Sequence, residues 1–361
     1  MRRISRAAAL VAVALGAVAM GSTGWLASLG GRPEPERMRR SPQYAGGKFR
    51  NRAATRMLKE GTFWQMARHQ VFGGEERVPR QPLAVVRHGA ADYAVAPAGL
   101  RATWIGHASV LLEIDGRRVL TDPIWSDRCS PSTLVGPRRF HAPPVALADL
   151  PPIDAVVISH DHYDHLDMAT VQALKAAHFA VPLGVGAHLL KWGIAADHIS
   201  ELDWGESAKV NGLTLTATPA QHYSGRNPLH RDETLWASWV IAGPQHRAFF
   251  TGDSGYFDGF RQIGASYGPF DLALVKIGAC DPTWQEIHMC PEEAVQAGQE
   301  VGARLLLPVH WATFNLAFHA WNEPAERALA AAQKAGIALA TPRPGEFVDP
   351  QRPQAAVAWW R

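Results

Sequence analysis

A chain of 361 residues that is 47% hydrophobic and 19% charged carries enough apolar surface for one large domain or two ordinary ones, which excludes a disordered or fibrous protein. Its 36 basic and 33 acidic residues leave a formal charge of +3, too near balance for a dedicated nucleic-acid binder. Cys129, Cys280 and Cys290 are too few and too scattered for a disulfide framework and form no CxxC pair, so all three read as ordinary thiols.

Arg2, Arg3 and Arg6 precede an uncharged run of apolar and small residues over 7–20, and no further charge comes before Arg32. That pattern fits a signal peptide, with Ala17-Val18-Ala19 as a poor cleavage site, or an uncleaved anchor, because about 20 apolar residues cross a bilayer. Residues 1–30 are therefore expected to send the protein out of the cytoplasm, to the periplasm or a membrane-anchored state. The alternative is an Ala-rich helix on a cytoplasmic protein. Residues 31–99 read as an N-terminal extension rich in Pro, Gly and Arg, with a short helix expected over 53–69. Within it, residues 31–60 hold nine Arg or Lys against three acidic residues, which suits an anionic lipid surface or a solvated basic linker equally well. No period of 20 to 50 residues repeats, which excludes solenoids and propellers.

After Leu100 the texture changes to short apolar runs bounded by turn residues. Strands are expected over 102–105, 110–114 and 118–121, with Asp115-Gly116 as the hairpin turn between the last two. A β-branched run over 155–159 ends directly in a histidine cluster, which places the cluster on the loop leaving the strand's carboxyl end. A helix is expected over 170–177, strands over 213–218, 236–241, 248–251, 272–277 and 305–308, and helices over 291–301 and 324–334. Pro291 at the first helical position and Gly336 beyond the last mark the bounds of those two helices. Meander and crossover strands with helices late in each half imply two sheets sandwiched by helices in residues 100–361.

The cluster is Ser159-His160-Asp161-His162-Tyr163-Asp164-His165. His160 and His162 lie two apart on a tight loop and can point at one metal; Asp164 and His165 can serve a second. Four donors within six residues are hard to explain as packing, since imidazoles and a carboxylate so crowded repel or desolvate one another without a cation. Zinc suits such nitrogen and oxygen donors, and a catalytic site leaves a position open for water. His222, Asp253 and His310 each follow an expected strand, so they can complete both spheres at the same strand-end edge. Asp122, near a strand end, can accept a hydrogen bond from a ligand imidazole, and His107 lies nearby. Trp125, Trp284, Trp311 and Phe314 could line an acyl pocket, though aromatics at such spacing more often fill core. No GxSxG elbow or Walker loop competes, and Gly184-Val185-Gly186 lacks the rest of a dinucleotide fingerprint.

The order HxHxDH followed by His, Asp and His resembles the metallo-β-lactamase superfamily. More narrowly, the chain resembles N-acylphosphatidylethanolamine-hydrolysing phospholipase D and its bacterial relatives. That likeness rests on Gly106-His107-Ala108-Ser109, Leu120-Thr121-Asp122-Pro123-Ile124, Gly136-Pro137-Arg138-Arg139-Phe140, Leu150-Pro151-Pro152-Ile153-Asp154, Thr251-Gly252-Asp253-Ser254-Gly255-Tyr256 and Pro291-Glu292-Glu293-Ala294, and spans residues 100–348. It implies an α+β four-layer αββα sandwich with two zinc ions. His160, His162 and His222 would hold one, Asp164, His165 and His310 the other, and Asp253 would bridge them. Asp253 argues against a true β-lactamase, because the common two-zinc version of that family has a cysteine there. His288 matches a position near the substrate phosphate, and Asp164 is expected to handle the leaving-group proton.

A metal pair about 3.5–4 Å apart can share a hydroxide and neutralise an oxyanion. The expected activity is therefore phospholipase D type phosphodiester hydrolysis of N-acylphosphatidylethanolamine or a similar lipid at a membrane surface. A lactonase or other acyl hydrolase would use the same ligands, and a non-catalytic metal-binding envelope protein is the third reading.

Overall fold

The computed structural model describes residues 24–59 and 61–361; the apolar run over 7–20 lies outside the described residues. Among the described residues no helix is long and apolar enough to cross a membrane. The chain first lays down two single-turn helices, α1 (Trp25–Ser28) and α2 (Pro35–Met38), then a small hairpin of β1 (Tyr44–Ala45) and β2 (Lys48–Phe49). The helix expected over 53–69 starts ten residues later and ends three residues later, as α3 (Phe63–Phe72). The residues before it spend their amides elsewhere: Arg56 N–H donates to the Glu286 carboxylate at 2.7 Å and Lys59 N–H to the Thr283 carbonyl at 2.9 Å. Gly61, at φ 76°, then breaks any helical continuation.

The main body is two seven-stranded sheets of like design. In the first, β3 (Leu100–Gly106), β4 (Ser109–Ile114) and β5 (Arg117–Thr121) form an antiparallel meander, and β6 (Ala155–Val157), β7 (His178–Pro182) and β8 (Ile199–Leu202) continue it in parallel. Asp115 at φ 50° and Gly116 at φ 78° make the expected hairpin turn, whose two central residues both need positive φ. The second sheet repeats the plan. There β9 (Ser207–Val210), β10 (Leu213–Thr218), β11 (Ser238–Ala242) and β12 (Arg247–Phe250) are antiparallel, and β13 (Phe270–Lys276), β14 (Ala303–Val309) and β15 (Ala338–Leu339) follow in parallel. The terminal β16 (Phe347–Val348) returns to the first sheet and pairs with β3.

Side chains alternate between two burials, as a strand's period of two requires. Val110, Leu112, Ala155 and Val157 join Leu215, Ala217 and Trp239 in the core between the sheets. Leu111, Val156 and Ile158 point the other way, onto Val171 and Leu189 of α4 (Met168–Ala173) and α5 (Gly186–Lys191). Helices α6 (Gly259–Tyr267), α7 (Pro291–Glu300) and α8 (Glu323–Ala335) pack beside the second sheet, α7 on β13 and β14 and α8 on β15. The result is the αββα sandwich expected from the sequence. Because central strands are covered on both faces they read as unbroken apolar runs, which is why those runs were legible.

Cys280 and Cys290 form a disulfide with their Cα atoms 5.0 Å apart, correcting the reading of all three cysteines as thiols. Their spacing resembles no redox or metal motif; the loop between β13 and α7 doubles back and brings the two together. Cys129 is free and buried.

Candidate metal centre

The loop leaving β6 is held open by a scaffold of its own. Asp161, the second residue of the HxHxDH segment after His160, turns away from the other donors. It accepts from Gly225 N–H at 2.7 Å and from the Thr234 hydroxyl at 3.0 Å, and lies 3.3 Å from His188 Nε2. The buried Arg226 guanidinium donates to the carbonyls of Asp161 and Leu166 at 2.7 and 2.9 Å and lies over the Tyr163 ring at 4.0 Å. With the backbone pinned, His160, His162, Asp164 and His165 face the gap between the two sheets.

The second sheet supplies the rest from strand ends. His222 follows β10, Asp253 follows β12 and His310 follows β14. Donor atoms of His160, His162 and His222 lie within 4.8 Å of one another, as do those of Asp164, His165 and His310 with His107. Asp253 joins the two groups. Its Oδ2 is 3.1 Å from His310 Nε2, 3.3 Å from His165 Nε2 and 3.9 Å from His222 Nε2. All seven residues singled out in the sequence are thus brought to one place. His288 arrives beside them, its Nδ1 3.9 Å from Asp253 Oδ2 and its ring 5.1 Å from that of His222.

Buried polar atoms normally have hydrogen-bond partners, yet His165 Nε2, His222 Nε2, His310 Nε2 and Asp253 Oδ1 are buried without one. His160 Nε2 and His162 Nδ1 face each other across 2.8 Å. The opposite edge of three of these rings is engaged: His165 Nδ1 with Asp122 at 2.6 Å, His160 Nδ1 with Ser159 Oγ at 2.9 Å and His222 Nδ1 with the Ile287 carbonyl at 3.0 Å. Outer partners of this kind orient metal-binding imidazoles. The expected contact of Asp122 with a ligand imidazole is present, and Asp122 also accepts from Ser159 N–H at 2.6 Å.

Electrostatics make the same demand. Burial alone would raise the Asp164 and Asp253 carboxyls, but His165 and His310 outweigh it and hold both well below the usual carboxylate range. Burial pushes the His107 and His222 imidazoles down to about 3, keeping them neutral as ligation requires. His165 and His310 are lowered by burial but raised more by Asp253 and Asp164. Two ionised carboxylates buried among imidazoles call for positive charge beside them, which divalent cations held by these residues would supply. Two adjoining His/Asp clusters sharing Asp253 form a binuclear metal site.

The sequence places His107 near the site without giving it a role. It sits in the tight β3–β4 turn at φ 53° and its Nε2 lies 3.0 Å from Asp164 Oδ2; its carbonyl accepts from His310 N–H at 2.8 Å. Its spacing to the histidine loop does not give that role, because the contact is made by strands β3, β4 and β6 coming together in the first sheet. Asn51 was likewise silent: its Nδ2 donates to the His222 carbonyl at 2.8 Å while its Oδ1 accepts His222 N–H at 3.1 Å. The aromatics considered for an acyl pocket are mostly structural. Trp311 stacks on Trp104 at 5.4 Å, Trp125 Nε1 donates to the Val145 carbonyl and Trp284 Nε1 to the Ala279 carbonyl. Phe314 packs edge-on to His107 at 5.2 Å.

Residues 117–311 match the family model described as the beta-lactamase superfamily domain. The chain is 52% identical over 334 residues to an uncharacterized protein of Mycobacterium tuberculosis, covering 89% of this chain and 88% of that one. It is 40% identical over 260 residues to N-acyl-phosphatidylethanolamine-hydrolyzing phospholipase D 1 of Caenorhabditis elegans, covering 68% of this chain and 73% of that one. Among solved structures, a possible metal-dependent hydrolase from Veillonella parvula superposes with a TM-score of 0.56 at 19% identity, covering 70% of this chain and 99% of that one. At such identity the superposition speaks for the fold alone. With the sandwich, the paired His/Asp clusters and the matched domain in place, the chain belongs to the metallo-β-lactamase superfamily, as a metal-dependent hydrolase within it.

Proposed function

We propose that this hydrolase is a zinc-dependent phosphodiesterase of the phospholipase D type, acting on N-acylphosphatidylethanolamine or a similar lipid. The observation that carries the reading is the 40% identity to the Caenorhabditis elegans phospholipase D over 68% of this chain. A donor set of imidazoles and carboxylates, with Asp253 rather than a thiolate joining the clusters, suits zinc. When bound, a zinc pair would lower the pKa of a water to about 7 and neutralise charge on the phosphoryl oxygens.

The chain's own residues do the remaining work. Asp164, an ionised carboxylate with only 17% of its side chain exposed and its Oδ2 next to His107, takes the proton released by the attacking water and passes it to the departing alcohol oxygen. His288, 14% exposed in its side chain, stands at the edge of the site, where its imidazole hydrogen-bonds a non-bridging phosphate oxygen. The N-terminal extension serves the lipid surface. It lies against the 281–289 loop through Arg56 and Lys59 and exposes Leu58, Trp64 and Phe72 amid its basic residues. Export through residues 1–30 fits this placement, and disulfides form in oxidising compartments.

The test is a product assay with the zinc-loaded protein and vesicles containing N-acylphosphatidylethanolamine. Phosphatidic acid and N-acylethanolamine are the expected products. Fatty acid alone would move the scissile bond to the acyl group, and no hydrolysis of any phosphodiester or ester would leave a metal-binding envelope protein.

A further inference from the structure

The disulfide joins Cys280, just beyond β13, to Cys290, the residue that caps α7. Between them, residues 281–289 form only turns and irregular backbone. Yet this segment touches the metal centre twice. The Ile287 carbonyl accepts from His222 Nδ1 at 3.0 Å, the contact that turns His222 Nε2 toward the metal position. One residue on, His288 brings its ring against His222 and Asp253. A segment without secondary structure thus has to hold a carbonyl and an imidazole in place within the site.

We propose that the Cys280–Cys290 bond is a redox-responsive clamp that positions the His222 imidazole and His288, making the oxidised chain the metal-competent form. The inference rests on the binuclear-site reading. Noncovalent ties also hold the segment: Met289 N–H to the Ser254 carbonyl at 2.9 Å, Gln221 Nε2 to the Glu286 carbonyl at 2.8 Å, Gln285 Nε2 to Glu293 at 2.9 Å, Trp284 Nε1 to the Ala279 carbonyl at 2.8 Å, Lys276 Nζ to the Met289 carbonyl at 3.5 Å, and the Arg56 and Lys59 amides to Glu286 and Thr283. They keep the segment nearby when the bond opens, so reduction loosens the loop without unfolding the domain. Cys290 is partly exposed and Cys280 is buried, so the Cys290 side is where a small thiol would approach. A dithiol delivers two electrons and two protons, the S–S bond breaks to two thiols, and the dithiol closes to its own disulfide. A small-molecule disulfide reverses the exchange. Only one of the two metal positions depends on His222, so the two should respond differently.

The experiment uses the full chain and zinc alone, without lipid. Thiols are counted in denaturant before and after reduction, and zinc is titrated against a chromophoric chelator for the oxidised protein, the reduced protein freed of reductant, and the Cys280→Ala/Cys290→Ala double variant. We expect one thiol per oxidised chain, from Cys129, and three after reduction. One of two zinc equivalents should weaken by about 10- to 100-fold, the loss typical when a ligand imidazole's outer partner is freed, with the other unchanged. Reoxidation should restore wild type but not the variant. Three thiols in the oxidised protein, unchanged affinities on reduction, or equal weakening of both equivalents with loss of folded circular dichroism would each overturn the proposal. Because zinc alone is the probe, these results stand whether or not the lipid proves to be a substrate.

Discussion

Asp253 Oδ2 lies 3.1 to 3.9 Å from nitrogens of His310, His165, His222 and His288, so a single oxygen ties both donor clusters together. Asp253→Asn keeps the shape and removes the charge. We expect hydrolysis to fall by more than about 100-fold, beyond the usual loss for an outer partner, with the metal-free melting temperature little changed. Activity within tenfold of wild type would show that Asp253 is not the shared ligand. Lys276 makes a second demand on the site. It is fully buried at the end of β13, its ammonium 3.5 Å from the Met289 carbonyl. Burial pushes its pKa from 10.5 down to about 7 against the opposing pull of Asp253, Glu293 and Asp164. A base depressed in the native state is protonated only in the unfolded chain between those two values. Stability therefore rises with pH across that window, by about 1.4 kcal/mol per unit, and is flat below it. Lys276→Met should abolish this slope, so denaturant melts of the two proteins should converge from pH 7 toward pH 9; a constant offset would show that the amine keeps its proton. The seven clustered residues were legible because each follows a strand and four of them share one loop. Of His107 only its nearness to the site was legible, and of Asn51 and the Ile287 carbonyl nothing, since their roles come from contacts across the fold.

At the scale of elements, the site is built from strand ends whose turns must be tight. Gly278, two residues beyond β13, lies so close to the His310 backbone that an added Cβ would stand 1.8 Å from the His310 carbonyl oxygen. That carbonyl is backbone, of a clustered histidine held at φ 65°, so the Cβ cannot be accommodated by a flexible side chain moving aside. Gly278→Ala is expected to destabilise by about 1–3 kcal/mol, the range for overpacking, and to weaken zinc binding as His310 shifts. Chemical denaturation alongside the chelator titration reads both; a variant with wild-type values would place the clash elsewhere. The same elements show which parts of the fold sequence can announce. Central strands such as β4 and β13 are fully covered and stand out as apolar runs. By contrast β8 (Ile-Ser-Glu-Leu) and β9 (Ser-Ala-Lys-Val) keep side chains partly exposed, and α6 buries only Gly259, Phe260 and Ile263 along nine residues; all three went unnoticed. The Cys280–Cys290 pairing was misread for a related reason, because a loop's return path leaves no periodic trace.

Across the whole molecule, the metal centre is also a joint. His160, His162, Asp164 and His165 come from the first sheet, while His222, Asp253 and His310 come from the second, so each cluster draws on both. Metal binding to the native state alone stabilises it by RT ln(1 + [L]/Kd), about 4 kcal/mol per ion at a thousandfold excess over Kd. Stripping the metal should therefore lower the melting temperature by roughly ten degrees or more. The extension adds a second fastening at the same place. Asn51, far from the histidine loop in sequence, holds both backbone groups of His222 and accepts from Trp236 Nε1 at 2.9 Å. Asn51→Ala leaves a buried N–H and carbonyl without partners, at about 1–3 kcal/mol, and frees the His222 backbone. If the extension is part of the site, the variant should lose more stability with zinc present than in chelator, because the bound state alone requires His222 in place. Scanning calorimetry of both proteins under both conditions gives the comparison. Equal losses would reduce Asn51 to a strut, and the extension to a cover over a centre that stands without it.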